Sequence, residues 1–304
     1  MSDRTTWLED RRQSIGGSDA AAIVGLTDYS SPYSVWADKT GRLPLDRPDN
    51  EAMREGRDLE QYVAERWMEA TGKRCRRRTQ TLRNPAYPFA HANVDRWVVG
   101  ENAGLECKTV KPYDTQLYQE GKYPDRFYVQ CVHYMAVTGA DRWYLAVLVF
   151  GTGFFTYTIE RDEAEINALM DAEADFWRYV TEDSPPPTDG TAATSDALKA
   201  ICADSKDGSS VDLFGLSSVF DTYFQAKASI RELEQIVTAA ENEIKAVMGE
   251  TEAGTSDRAS VIWKPQTRRT FDAKRFAVEH PEIDLSGYYK TSTTRVFKIK
   301  KEAK

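Results

Sequence analysis

A chain of 304 residues is long enough for one large domain, or for a catalytic domain of about 180–200 residues with an appended module. Its four cysteines, Cys75, Cys107, Cys131 and Cys202, form no CxxC pair and are accompanied by three histidines, which excludes a zinc ribbon, a disulfide scaffold and an iron–sulfur cluster with closely spaced ligands. The net charge of −8 would argue against nucleic acid only if it were evenly spread, and it is not.

Lys73, Arg74, Arg76, Arg77, Arg78 and Arg83 follow one another without an intervening acid. Further basic clusters stand at 264–275 and 295–301, while acids concentrate between 160 and 175. Such segregation permits a basic channel on an acidic protein, or leaves each patch as an ordinary solvated face. The opening MSDRTTWLEDRR has no apolar signal core, and no stretch approaches the ~18 apolar residues of a membrane span. A cytoplasmic, reduced protein without a membrane partner is expected.

In chain order, residues 18–24 read as a short helix opened by Gly16-Gly17-Ser18-Asp19, with Ser18 or Asp19 capping the exposed amides. Trp7, Arg11, Arg12 and Ser18 bring arginine and a hydroxyl to that helix start, a natural anion site, although a plain cap explains Ser18 equally well. Residues 34–40 form a second helix. Residues 51–71 form a longer amphipathic one, with Met53, Leu59, Val63, Trp67 and Met68 on its apolar face and Gly72 as its stop. Glu60 in EGRDLE either faces a sheet end, where it completes a metal site, or is a solvent-facing charge.

Strands are expected at 74–82, 90–99 and 105–110, the last two joined by a turn at 100–104. Strand side chains alternate, so Glu106 and Lys108 share a face, Cys107 takes the other, and a hairpin brings Asp95 to the pair. Two hard carboxylates suit Mg²⁺, and a neighbouring lysine can orient or deprotonate water; an ordinary cross-strand salt bridge is the competing reading. Residues 125–138 form a helix on which Gln130 and His133 share a face, placed to hold a nucleophilic water or a phosphate oxygen, or simply forming a satisfied polar patch. Strands at 142–150 and 154–159 and an acidic helix at 163–181 complete an α/β layer with a mixed sheet.

The expected organisation is a domain at 1–185, a linker at 186–210 that includes Pro185-Pro186-Pro187 at its border, and a C-terminal module at 211–304. In that module Leu213, Leu216, Phe220, Tyr223, Lys227, Ile230, Val237, Ile244 and Val247 follow an approximate three-four spacing that predicts a coiled-coil-like helix of about 35 residues. Strands at 259–263 and 294–299 flank a short helix at 271–279. The arm either extends a DNA track, mediates self-association, docks another protein or packs back on the first domain.

Taken in order, WLEDRRQSIGGSDAAAIVG, EGRDLE, HANVDRW, LECKT and YVQCVHYMAVTGADRWYLAVL resemble the YqaJ viral recombinase family over residues 7–180. Its members are phage exonucleases similar to lambda exonuclease, built on a restriction-endonuclease-like PD-(D/E)XK core with a mixed central sheet flanked by helices. The resemblance implies that Asp95, Glu106 and Glu60 hold Mg²⁺, for which Mn²⁺ can substitute. It makes Lys108 the catalytic lysine and Gln130 an assistant near the nucleophile. Arg11 and Ser18 match, by their spacing from Trp7, the positions that hold the 5′-phosphate, with Arg12 a near alternative and Arg76, Arg77 and Arg78 as further DNA contacts. The role of His133 is left open. Two departures stand out: Asn93 lies two before Asp95, and Val94 replaces the proline that gives the superfamily its name.

The implied activity is Mg²⁺-dependent digestion of one strand of linear duplex DNA, 5′→3′, exposing 3′ single strands for annealing recombination in a phage or prophage. A single-strand annealing protein and a toroidal homotrimer are the implied partners. The rivals are a structure-specific or endonucleolytic enzyme on the same core and a non-catalytic DNA-binding scaffold. A serine hydrolase based on Ser18 has no GxSxG elbow to support it.

Overall fold

The computed structural model describes residues 2–46 and 50–301. The chain divides into two units, Met1–Ala203 and Asp204–Lys304. The first opens with α1 (Ser2–Arg12), β1 (Ile15–Gly16), α2 (Gly17–Ile23), α3 (Pro32–Lys39) and α4 (Glu51–Thr71). Strands β2 (Cys75–Arg77), β3 (Leu82–Arg83), β4 (Ala90–Ala92), β5 (Arg96–Val98) and β6 (Ala103–Val110) follow. After a 3₁₀ turn at Pro112–Tyr118 come α5 (Asp125–Thr138), β7 (Arg142–Val149), β8 (Gly153–Glu160), α6 (Glu163–Thr181) and α7 (Ala192–Ile201).

The central sheet has the order β2-β5-β6-β7-β8. Only β6 and β7 run parallel, and α5 is the crossover that a parallel pair requires. Alternation along β6 decides what each face sees. Leu105 and Cys107 face α4, which buries Val63, Ala64 and Trp67 against Leu105, Tyr144 and Ala146. On the other face Trp143, Leu145, Val147 and Val149 pack beneath α5 and α6. Gly104 lets the Trp143 ring lie on the strand, because a Cβ there would stand 2.2 Å from it. Trp67 has no exposed surface and its ring sits 5.1 Å from that of Tyr144, so α4 is anchored to the sheet by aromatic burial.

The helices at 51–71, 125–138 and 163–181 have the expected bounds. Two expected strands are broken instead. Residues 74–82 divide into β2 and β3, and 90–99 into β4 and β5; the first member of one pair and the second of the other join the central sheet, while β3 and β4 form a small sheet ordered β1-β4-β3. The break in the second run falls at Asn93–Asp95 and lifts Asp95 off the ladder. The stretch read as a linker at 186–210 contains α7, capped by the Thr191 hydroxyl accepting from Thr194 N–H. Its Ala197 packs with Trp36 and Phe176, an apolar anchor that the surrounding small polar residues conceal.

The second unit contains α8 (Ser217–Met248), the antiparallel pair β9 (Ala253–Thr255) and β10 (Ser260–Ile262), and α9 (Ala273–Glu279). The expected strand at 294–299 does not form; among the described residues it has no ladder partner. No helix among them is long and apolar enough to cross a membrane.

Candidate active site

The β5–β6 ladder ends at Arg96 opposite Leu105, so the next amide of β6 on that edge, Cys107 N–H, needs another acceptor. Asp95 Oδ2 supplies it at 2.9 Å. This draws the aspartate against Glu106 and Lys108, which share the α5 face of β6. Lys108 Nζ lies 2.6 Å from Glu106 Oε1. Gln130 on α5 closes the ring: its Nε2 donates to Glu106 Oε1 at 2.7 Å and its Oε1 accepts from Lys108 Nζ at 2.9 Å. The amide is oriented by a residue that sequence reasoning missed, Tyr134, whose hydroxyl accepts from Gln130 Nε2 at 2.8 Å. Its position one helical turn after Gln130 was the available signal.

The electrostatics are those of too much negative charge in too little water. Burial, then the charge of Glu106, raises the Asp95 pKa well above the usual carboxylate range, against the pull of Lys108 and the Cys107 amide. Burial would strip the proton from Lys108, but Glu106 and Asp95 outweigh it and hold the lysine cationic. Cys107 is pushed up by burial and by Asp95, which favours the thiol.

Glu106 Oε2 is buried and has no hydrogen-bond partner. An orphaned carboxylate oxygen beside a second carboxylate is the donor set a hard divalent cation fits. Glu60 is not gathered with them: it pairs with Arg96, whose guanidinium also reaches Gln61 Oε1 at 2.9 Å and Asp95 O at 2.7 Å. Among the described residues no three His, Cys, Asp or Glu side chains stand in ligating geometry. Arg96, adjacent in sequence to Asp95, was not expected in the site.

Gln130 and His133 part company despite their spacing. His133 is fully buried, with Nδ1 at 2.8 Å from Glu173 Oε1 on α6 and Nε2 at 2.9 Å from the His91 carbonyl. Both ring nitrogens are engaged inside the core, away from the cleft that Gln130 lines, which favours the satisfied polar patch over a place beside Gln130 in the site. Burial opposes its protonation, but Glu173 outweighs this and raises its pKa.

Lys108 and Gln130 line an open cleft of about 440 Å³ together with Ser18, Lys111 and Arg126. Lys111 and Arg126 escaped the sequence reading because neither stands in a charge run. Ser18 is exposed and its hydroxyl accepts from Arg11 at 3.3 Å, while the Arg11 guanidinium lies 4.8 Å over the Trp7 ring. The cap of α2 falls to Asp19, which accepts from Gly16 N–H at 3.0 Å. Buried Lys39 fixes this corner, 2.7 Å from Asp19 and donating to Arg11 O at 2.8 Å; twenty residues separate the pair, so no local pattern announced it. Arg12 is turned away, bonded to Asp38 at 3.2 Å and to Leu43 O at 2.6 Å.

Gly17 lets α2 touch α5, since a Cβ there would come within 2.6 Å of the Tyr134 ring. Arg76, Arg77 and Arg78 do not line this cleft. Arg76 and Arg77 stand exposed on edge strand β2, and Arg78 stacks 5.1 Å from the Trp97 ring.

Residues 6–141 match the model of the YqaJ-like viral recombinase domain. The chain is 36% identical over 284 residues to the YqaJ protein of Bacillus subtilis (strain 168), covering 92% of this chain and 89% of that one. Among solved structures, an alkaline exonuclease from Laribacter hongkongensis superposes with a TM-score of 0.52 at 21% identity, over 59% of this chain and 93% of its own. The same enzyme in complex with dAMP gives 0.51 at 19% over the same shares. At such identities the likeness concerns the fold, a mixed sheet flanked by helices.

Proposed function

Since the chain belongs to the YqaJ-like viral recombinase family, we propose that it is a Mg²⁺-dependent exonuclease acting on linear duplex DNA in recombination. The observation that carries this reading is the Asp95–Glu106–Lys108–Gln130 cluster opening on the cleft that also receives Ser18. Asp95 and Glu106 would hold the metal, and Glu60 would complete the set by exchanging Arg96 for it; Mn²⁺ would serve in place of Mg²⁺. When bound, one or two such ions supply a reactive water and neutralise charge on the phosphate.

The chain's own groups divide the remaining work. Lys108 Nζ, held cationic, aims a donor at the attacked phosphate and orients the water. Gln130, fixed by Tyr134, sets the positions of Glu106 and Lys108. Arg11 and Ser18 would receive the 5′-terminal phosphate, which gives the 5′→3′ polarity and leaves a 3′ strand for annealing. A single-strand annealing protein as partner and a ring of three chains complete the reading.

The test is digestion of end-labelled linear duplex, with and without a 5′-phosphate, against a closed circle, all with Mg²⁺. Phosphorylated linear duplex is expected to be consumed from its 5′ ends, and Lys108→Ala to lower the rate by about 10²–10⁴-fold. Cleavage of the closed circle would sink the exonuclease reading. Indifference to the 5′-phosphate would remove Arg11 and Ser18 from it, and an unchanged Lys108→Ala rate would remove the lysine.

A further inference from the structure

The second unit has an apolar surplus without a core. Of its described residues only Met248 is buried, although α8 runs for 32 residues, about 48 Å at 1.5 Å per residue. The surplus is ordered. Leu216, Tyr223, Ile230, Val237 and Ile244 recur every seventh residue, and Val219, Ala226, Leu233, Ala240 and Val247 recur in the same period three residues later. These are the a and d positions of five heptads, the pattern that makes a helix seek another helix along one seam. The seam is open: Ile230 is 46% exposed, Leu233 61% and Val237 57%. The β9–β10 pair forms a cleft at Ile244 and Val247, and the tail near Ile299 forms one along one side of the seam at Tyr223, Lys227, Ile230 and Glu234; Ile230, Leu233 and Val237 keep about half of their surface exposed beside it.

We propose that α8 pairs with α8 of a second copy of this chain as an antiparallel coiled coil centred on Ile230 against Leu233, joining chains of different rings, because a two-fold pair cannot close within a ring of three. Side-chain volumes select this arrangement. In the antiparallel register Tyr223 faces Ala240 and Val237 faces Ala226, while Leu216 meets Val247 and Ile244 meets Val219, so each large residue has a smaller or matching one opposite. A parallel pair would set Tyr223 against Tyr223 and Ala226 against Ala226, one layer too thick and the next hollow. Charge agrees. Lys227 and Glu234 flank the seam, and only the antiparallel pair sets Lys227 of each copy beside Glu234 of the other, twice by symmetry. Within one helix they are seven residues apart, about 10 Å along the axis, too far to pair with each other.

Disulfide trapping in the full-length chain tests orientation and register, whatever other contacts the first unit makes. In a Cys202→Ser background, Ile230→Cys and Leu233→Cys chains are mixed under mild oxidation. A cross-linked pair from the mixture, absent from either chain alone, is the expected result. Cross-linking of each variant with itself would establish a parallel pair, and no cross-link in any arm would overturn self-pairing. Charge reversal supplies a second reading by sedimentation equilibrium. Lys227→Glu and Glu234→Lys are each expected to weaken the pairing by about tenfold, and the double variant to restore it to within about twofold. Absence of rescue would overturn the register. None of these outcomes depends on nuclease activity.

Discussion

Gln130 and His133 lie one turn apart on α5, and each holds a buried glutamate that keeps one oxygen without a hydrogen bond, Glu106 Oε2 and Glu173 Oε2. The same local deficit means different things in the two places. Glu173 faces a histidine whose proton it stabilises, so that pair is balanced and sealed from solvent. Around Glu106, the two carboxylates of Asp95 and Glu106 face Lys108 beside an open cleft, the nearby Arg96 being taken by Glu60. An orphan oxygen in a neutral pair is packing; an orphan oxygen in a cluster with surplus negative charge has the chemistry that would attract a cation.

The sharpest way to break this contrast is His133→Ala, which strands Glu173 in the core. It is expected to cost about 3–5 kcal/mol of stability in urea unfolding while leaving cleavage per folded molecule within about twofold. A well-folded but inactive variant would place His133 in the active site after all. A smaller effect of opposite sign belongs to Asp95. Its folded pKa is raised, so its proton-bound form favours folding below the unfolded value near 3.8, and that advantage is lost as pH rises through the folded value. At neutral pH without divalent metal, Asp95→Asn is therefore expected to raise the unfolding free energy by about 1 kcal/mol and to abolish the increase in Tm that Mg²⁺ is expected to give the native chain. A variant that Mg²⁺ still stabilises would take Asp95 out of the metal site.

The smallest effect, read between pH 7 and pH 6, comes from His91, whose carbonyl meets His133 and whose Nδ1 lies 2.9 Å from the Ser14 hydroxyl. Burial, then Lys39, lowers its pKa from 6.5 to about 3, so its contribution is complete above pH 6.5 and is lost as pH falls from there towards 3. Between pH 7 and pH 6 the loss is about 0.7 kcal/mol. His133, with its pKa raised, acts in the other direction: its contribution is complete below 6.5 and is lost as pH rises through its folded value. Urea titrations of His91→Gln across pH 5–8 should lose the acid-side slope and keep the alkaline one; a retained acid slope would assign it elsewhere.

Most of this was legible where a pattern is local. The period of α4, α5 and α6 fixed their ends, and the alternation of Glu106, Cys107 and Lys108 fixed their faces. What stayed hidden depends on distant residues. The run from 90 to 99 has uniform strand propensity, yet it changes sheets at Asp95 because that carboxylate takes the Cys107 amide. Gln130 and His133 looked equivalent by spacing, and only the arrival of α6 with Glu173 separated them. Lys39 and Asp19 meet through the return of α3 onto α2. In the second unit the heptads were readable, but a seam exposed to solvent is a fact about what does not fold back on it.

The absent side chain at Gly17 sets a length. It lets the helix bearing Ser18 pack on the Tyr134 ring, and Tyr134 holds Gln130, so one contact links the two ends of the proposed substrate site. If Arg11 and Ser18 hold the terminal phosphate as proposed, the interval from it to the cleaved bond would be a ruler cut into the fold. Each bite would release a fragment of constant size, and pushing α2 away from α5, as Gly17→Ala would, should blur the size of the product before it slows its release.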